Sequence, residues 1–402
     1  MKKIDFFLLI TITFFAFLLR GYNLALPREK VFDEVYYVKA AKSYLEGEKD
    51  PNTFHPPIGK MMIALGMKIT QSVGEEFSWR FASLILGTLM VSITYLLGIF
   101  LTGKTGVAVF SSLYLALDFL CIVQSRIAIL DIFPAFFTLL GFLFLWLYLY
   151  QPSRKIAWFI FCAVSFGLSV ASKWNGGFGA IGAILCFFFL PRERKKPVLE
   201  SLLFAYLVMM VYVFSFLPWI MKGDSPQTIF AYHSRMLHFR YLEEFKHGYL
   251  SYFWQWATLL RPIWYYYKEE NGKVMGILAI GSPLFWWAFL LSLPVMIYQG
   301  FKAGKPEIRF AMIAYLTQYL LWAIAIKGGF FYYILPAVPW MAVFMGILSY
   351  QFFSRGKLWQ KVAVSVFVLG VIVVFVAYYP LLIALPISKA HYSRLIILKS
   401  WI

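Results

Sequence analysis

Charge is scarce in this chain. Only 14% of its 402 residues are Asp, Glu, Lys or Arg, where a soluble fold carries roughly 25%. Hydrophobic residues supply 61% and aromatics 20%, so no water-compatible surface can be assembled from the remainder. That excludes soluble multidomain enzymes, disordered chains and collagen-like repeats, and leaves a polytopic, all-α membrane protein. Cysteine is rarer still. Cys121, Cys162 and Cys186 all fall inside apolar runs, where thiols act as small inert hydrophobes rather than disulfide partners or metal ligands. Acids are outnumbered, 19 against 37 basic residues. In a membrane protein such an excess sets topology before it suggests a nucleic acid, and none is implied here.

A span needs about 20 mostly apolar residues. Apolar runs at about 5–20, 79–101, 106–122, 128–149, 156–171, 176–190, 199–220, 282–299, 309–326, 330–350 and 361–380 predict eleven. The first lacks a small-residue cleavage site and is read as a span, not a signal peptide. Alternate connections collect Lys2, Lys3, Lys104, Arg154, Lys155, Arg192, Arg194, Lys195, Lys196, Lys302, Lys305, Arg309, Arg355, Lys357 and Lys361. The short connections of the other side hold only Arg126, Lys173 and Lys327. The positive-inside rule makes the first side cytoplasmic, with the N-terminus. Two long segments, 21–78 and 221–281, then lie outside with most of the acids and all five histidines. The cytoplasmic loops are short and hold no Gly-rich phosphate cradle. Chemistry faces outward in this reading, without a cytosolic nucleotide. Heptads, repeats and the inverted halves of secondary transporters are absent.

The first outer segment carries Val31-Phe32-Asp33-Glu34-Val35-Tyr36-Tyr37. Tyr37, Ala40, Ala41, Tyr44 and Leu45 follow at helical spacing and predict an amphipathic helix on the membrane surface. Asp33 and Glu34 have two readings: a helix N-cap with its first-turn dipole partner, or a carboxylate pair for base chemistry. His55-Pro56-Pro57-Ile58-Gly59-Lys60 opens a second such helix, with Ile58, Met62, Leu65 and Ile69 as its apolar stripe. Lys60 and Lys68 would reach anionic headgroups from it. Arg80, at the start of the second span, either snorkels to the interface or binds a lipid phosphate.

Asp118, Arg126 and Asp131 surround the junction of two spans, and Lys173 sits at another. Ionisable groups at membrane depth cost several kcal/mol unless paired or wet. They either line a phosphate-binding cavity or form an Arg126–Asp131 ion pair that pins two helices. The run Trp264-Tyr265-Tyr266-Tyr267 is either an interfacial aromatic belt or a stacking surface for sugar or peptide.

Taken together, Phe32-Asp33-Glu34, the His55–Lys60 block, Gln124-Ser125-Arg126 with Leu130-Asp131, Ser172-Lys173-Trp174-Asn175-Gly176, Arg261–Tyr267, Gly281–Trp287 and Phe331–Pro339 resemble the protein O-mannosyltransferases, in a prokaryotic form. Met236 with Phe239 adds to the series. The resemblance implies the GT-C glycosyltransferase fold. It also implies a polyprenyl (dolichyl) phosphate mannose donor and transfer to Ser or Thr of polypeptides, with the secretion translocon as one source. Its active-site acidic pair maps onto Asp33 and Glu34. Two departures stand out. About 60 residues in the second outer segment leave no room for the β-trefoil domain of eukaryotic members, and Arg240 replaces an expected histidine.

The expectation is a single membrane-embedded domain (1–402) in the plasma membrane, with 21–78 as the outer catalytic loop and 221–281 as the second outer loop. Asp33 would be general base of an inverting transfer, with Glu34 and His55 positioning acceptor or sugar. Arg80, Arg126, Lys173 and Arg261 would contact donor phosphate, and Asp131 is counted with them and His55 among the substrate-binding residues. The outer-loop acids are compatible with a divalent cation, although no spacing selects one. Two alternatives differ in acceptor or class: a GT-C enzyme modifying a lipid, similar to aminoarabinose transferases, and a transporter of isoprenoid-linked sugar. Charges crowded on one face argue against transport.

Overall fold

The computed structural model describes residues 2–402 except 73–74, 152, 192–195, 242–246 and 325–327, with backbone alone at 239–241. Arg192, Arg194, Lys195 and Lys327 of the charge pattern, and the side chains of Phe239 and Arg240, therefore lie outside the described residues.

Helix α1 (Lys3–Gly21) leads into the first long segment, which forms α2 (Glu34–Glu46) and α3 (Ile58–Thr70). The bundle continues through α4 (Glu76–Thr102), α5 (Thr105–Ala116), α6 (Phe119–Gln124), α7 (Ile132–Tyr150), α8 (Lys155–Ser172), α9 (Gly177–Phe189) and α10 (Pro197–Phe214). After α11 (Leu217–Met221), the second long segment holds α12 (Pro226–Tyr241), α13 (Phe253–Ala257) and the strands β1 (Ile263–Glu270) and β2 (Lys273–Ala279). The chain closes with α14 (Pro283–Ile297), α15 (Pro306–Leu320), α16 (Val338–Arg355), α17 (Leu358–Leu382), β3 (Ile387–Ser388) and α18 (Lys389–Leu395).

Every predicted apolar run is mainly helical over its described residues. Eight helices among the described residues are long and apolar enough to cross a membrane. The runs at 106–122, 176–190 and 309–326 make shorter helices, α5, α9 and α15. The first of these is cut because Asp118 breaks the run. Its carboxylate accepts the backbone N–H of Cys121 at 3.0 Å and the indole N–H of Trp286 at 2.7 Å, capping α6. Arg20 meets the other side of that break. It donates to the carbonyls of Leu115 and Ala116, the last of α5, at 3.2 and 3.3 Å. One orphan N–H of α6 and the last two carbonyls of α5 are thus satisfied within the bundle.

The small sheet departs from the all-α expectation. Strands β1 and β2 pair antiparallel and β3 adds to β2, in the order β1-β2-β3. Asn271-Gly272 turns the hairpin with both residues at positive φ, 51° and 69°. This is the two-residue turn that Asn-Gly favours, and the dipeptide was the available signal. The register slips between Trp264 and Tyr266, so Tyr265 sits in a bulge.

Both predicted amphipathic helices form. In α2, Tyr37, Val38, Ala40 and Ala41 face the protein. In α3 the packed face is instead Gly59, Ile63, Ala64, Gly66 and Met67, while Leu65 and Ile69 point outward. Helix α3 is apolar on both faces, which suits a helix bedded between protein and lipid. Lys60 does not reach a headgroup. It is fully buried, 2.5 Å from Asp50, and lies 5.2 Å above the Trp219 ring. Tyr44 donates to the same Asp50 carboxylate at 2.8 Å and accepts from Trp219 at 2.6 Å. Together with Lys49–Asp224 at 2.7 Å, this ties the first long segment to the second at one end of the bundle.

Candidate active site

The two adjacent carboxylates have opposite surroundings. Glu34, the first residue of α2, is completely buried. It holds Arg80 through paired bonds at 2.9 Å and accepts the backbone N–H of Val31 at 2.9 Å and of Ala128 at 2.8 Å. Arg80 gives its remaining donors to the carbonyls of Leu24, Pro27 and Glu29. Neither side chain has a group left for substrate. The expected catalytic role of Glu34 and phosphate role of Arg80 give way to a structural one. A buried guanidinium needs all five N–H groups satisfied, and folding the loop around it does so.

Asp33 occupies the N-cap position of α2, yet its side chain makes no capping bond. No described residue donates to the carboxylate. The preceding Phe32 adopts φ +49°, a left-handed conformation that is uncommon for a bulky residue and clusters at functional sites. Phe32 packs on Tyr265 with ring centres 4.6 Å apart and planes tilted by 38°, and meets the edge of Tyr332 at 6.0 Å. Tyr265 is itself positioned by Gln124, which donates to its hydroxyl at 2.7 Å. Half-exposed Asp33 therefore opens onto an aromatic rim. Desolvation pushes its pKa up to about 6; Asp131 adds to the rise and Lys173 opposes it. A carboxyl poised near neutrality suits proton transfer.

Lys173 lies between the ends of α8 and α9. Its ammonium is 2.8 Å from both oxygens of Asp131 and stands over the rings of Tyr333 at 4.6 Å and Tyr332 at 5.4 Å. Asp131 thus pairs with Lys173 and not with Arg126. Arg126 is buried and donates to the carbonyls of Arg20, Tyr22 and Asn23 at the C-terminal end of α1. It secures a helix end and is withdrawn from phosphate. Arg261 differs. It is half-buried, and among the described residues its one bond, from Nη2 to the Gly248 carbonyl at 2.6 Å, leaves most of its donors uncommitted. Next to Gly248, His247 packs on Phe330 at 5.2 Å, and Phe330 stacks on Tyr332 at 5.6 Å. His55 stands beside Tyr37, ring centres 6.1 Å apart.

The structure therefore gathers Asp33, Asp131 and Lys173 with Phe32, Tyr265, Tyr332 and Tyr333. Among the described residues no three metal-binding side chains converge. The tyrosines of the rim were visible only as aromatic runs, because aromatic spacing does not distinguish a site from a membrane belt.

Comparison with known proteins bears on this arrangement. Residues 10–234 match the family described as dolichyl-phosphate-mannose-protein mannosyltransferase, and residues 225–401 match the C-terminal four TMM region of protein-O-mannosyltransferase. The chain belongs to this family. It is 24% identical to the polyprenol-phosphate-mannose–protein mannosyltransferase of Mycobacterium tuberculosis, covering 92% of this chain and 86% of that one. The counterpart from Mycolicibacterium smegmatis is also 24% identical, over 97% and 92%. Among solved structures, the S. cerevisiae protein O-mannosyltransferase complex bound to the sugar donor superposes with a TM-score of 0.87 at 14% identity, covering 100% of this chain and 93% of that one. ArnT from Cupriavidus metallidurans in the apo state reaches 0.65 at 15%, covering 88% and 62%. The fold is GT-C, and this chain is a multi-pass membrane glycosyltransferase.

Two predictions concern the mannosyltransferase site directly. Replacing Arg261 by alanine is expected to raise the KM for lipid donor about tenfold or more with a smaller loss in kcat, the scale of a lost charge-assisted bond to phosphate. Steady-state kinetics with varied donor would check it; an unchanged donor KM would remove Arg261 from the phosphate. An Asp33 that works as a base must be ionised, so activity should then fall as pH drops through about 6. A pH profile of kcat/KM measures that limb.

Proposed function

We propose that this enzyme transfers mannose from a polyprenyl-phosphate mannose donor to Ser or Thr hydroxyls of polypeptides, on the outer face of the plasma membrane and with inversion. The observation that carries the reading is the division of labour between neighbouring carboxylates. Glu34 is consumed by Arg80, whereas Asp33 stands unbonded, raised to about 6, at the rim of an aromatic site beside the Lys173–Asp131 pair. Family membership and the donor named for the mycobacterial relatives support the substrate class.

In the proposed step, the acceptor hydroxyl gives its proton to Asp33 as its oxygen bonds to the mannose anomeric carbon. The bond from that carbon to the phosphate oxygen breaks, and the electron pair leaves with the lipid phosphate. A serine or threonine hydroxyl is far too weakly acidic to ionise first, so deprotonation must accompany attack. Arg261 and Lys173 would offset the charge growing on phosphate, Lys173 with its own charge already shared with Asp131. The lipid tail would lie along apolar spans. An outward site agrees with the positive-inside pattern, which places both long segments opposite the basic loops. The acceptor would come from translocated polypeptide.

The test is product analysis with polyprenyl-phosphate mannose of defined anomer and a threonine peptide. Mannose on the threonine in the opposite anomeric configuration is the expected result. Retained configuration would overturn direct displacement, and mannose only on lipid would overturn the acceptor class.

A further inference from the structure

The three-stranded sheet ends in an open edge that starts at the site. Strand β1 pairs only with β2 among the described residues, so its other edge carries unpaired backbone N–H and C=O groups. Its inner part is buried and places Tyr265 in the bulge against Phe32. Its outer part, Tyr267 to Glu270, is exposed and runs out to the hairpin tip. Exposed edges are normally blunted or covered, because they template pairing with another chain. Bulges beside active sites re-aim a side chain and end regular pairing. Here the bulge falls where the edge meets the residue preceding Asp33.

Building on the function proposed above, we propose that the acceptor polypeptide docks as an added strand on the free edge of β1. The hydroxyl-bearing residue would come to rest at the Phe32–Tyr265 end, beside Asp33. Main-chain pairing of this kind supplies affinity without reading side chains. It would let one site accept many sequences, provided the segment is extended. At about 3.3 Å per residue, Tyr265 to Glu270 accommodates about five residues on one flank of the acceptor. Beyond the bulge the strand continues only through Trp264 and buried Ile263, so the other flank has no exposed edge to follow. The tip charges are already paired, Lys268 with Glu270 at 2.9 Å and Lys389 with Glu269 at 2.6 Å, so the edge carries little net charge toward its ligand.

The experiment is a backbone N-methyl scan of a nine-residue peptide with one central threonine, using wild-type enzyme in lipid nanodiscs and polyprenyl-phosphate mannose. Each methyl group removes one N–H donor. The expected pattern is an acceptor KM raised about tenfold at every second position of one flank, with intervening positions and the other flank near the parent peptide. No effect, or an even effect at all positions, would overturn strand addition while leaving the mannosyltransferase reading intact. A parent peptide that takes no mannose would overturn both. A second measurement is independent of turnover. Glu270→Cys should form a disulfide with a peptide carrying cysteine at the end of the sensitive flank, and not at the other end. Cys121, Cys162 and Cys186 are buried and add no background. Equal cross-linking from both ends, or none, would contradict the proposal.

Discussion

Asp33→Asn is expected to lower turnover by about 10²–10⁴-fold, the contribution of a general base, while the protein folds and inserts as the wild type does. The side chain makes no capping bond, so its amide leaves no partner stranded. Linkage gives the sign of any stability change. A carboxyl whose folded pKa is raised, from 3.8 to about 6, favours the protonated form in the folded state. Stability is therefore greatest below the unfolded pKa and declines as pH rises through the folded one. At pH 7.5 the ionised Asp33 is a cost, and asparagine removes it. The variant should melt at the same temperature as wild type or higher, with activity lost. Activity traded against stability in this direction marks a functional group rather than a structural one. A stability loss with proportionate activity loss would instead make Asp33 a scaffold residue. The acidic limb near pH 6 should also disappear from the residual activity.

Arg80→Ala is expected to be the most damaging change to the fold. It strands Glu34, fully buried, and frees the carbonyls of Leu24, Pro27 and Glu29. Removing one partner of a buried pair costs about 3–5 kcal/mol, a large share of a typical total stability. The outcome should be a sharply reduced yield of folded protein and a much lower melting temperature in detergent. Arg80→Lys should rescue little, because an ammonium cannot supply the five-donor fork. If Arg80 were a phosphate ligand, the alanine variant would fold normally and lose donor affinity alone. Thermal unfolding of the two variants beside wild type separates these outcomes.

Much of this architecture was legible because membranes simplify the problem. Apolar runs gave all the helices of the bundle, and the Tyr37, Ala40, Ala41 spacing gave the packed face of α2. The two acids of the pair are told apart only in three dimensions, where Glu34 is buried against Arg80 and Asp33 makes no capping bond. Asp33 could not be distinguished from a cap until its carboxylate was seen unbonded, and Glu34 needed Arg80, 46 positions away. Arg126 was hard to read from sequence, and Arg20 went unremarked, for a common reason. In a bundle without water, broken helix ends demand donors, and a guanidinium that serves them reads in sequence like one awaiting an anion. Asp118 is the same case with opposite sign. The hairpin was missed despite its Asn271-Gly272 turn, since consecutive aromatics before it matched a membrane belt as well as a strand.

The measurement that bears most directly on the central claim is a transfer assay at pH 7.5 in lipid nanodiscs, with radiolabelled polyprenyl-phosphate mannose and a threonine peptide. Wild type and Asp33→Asn would be compared at matched folded concentration. Label entering the peptide with wild type, and at least about 100-fold more slowly with the variant, is the predicted result. Near-equal transfer by the two proteins would contradict it.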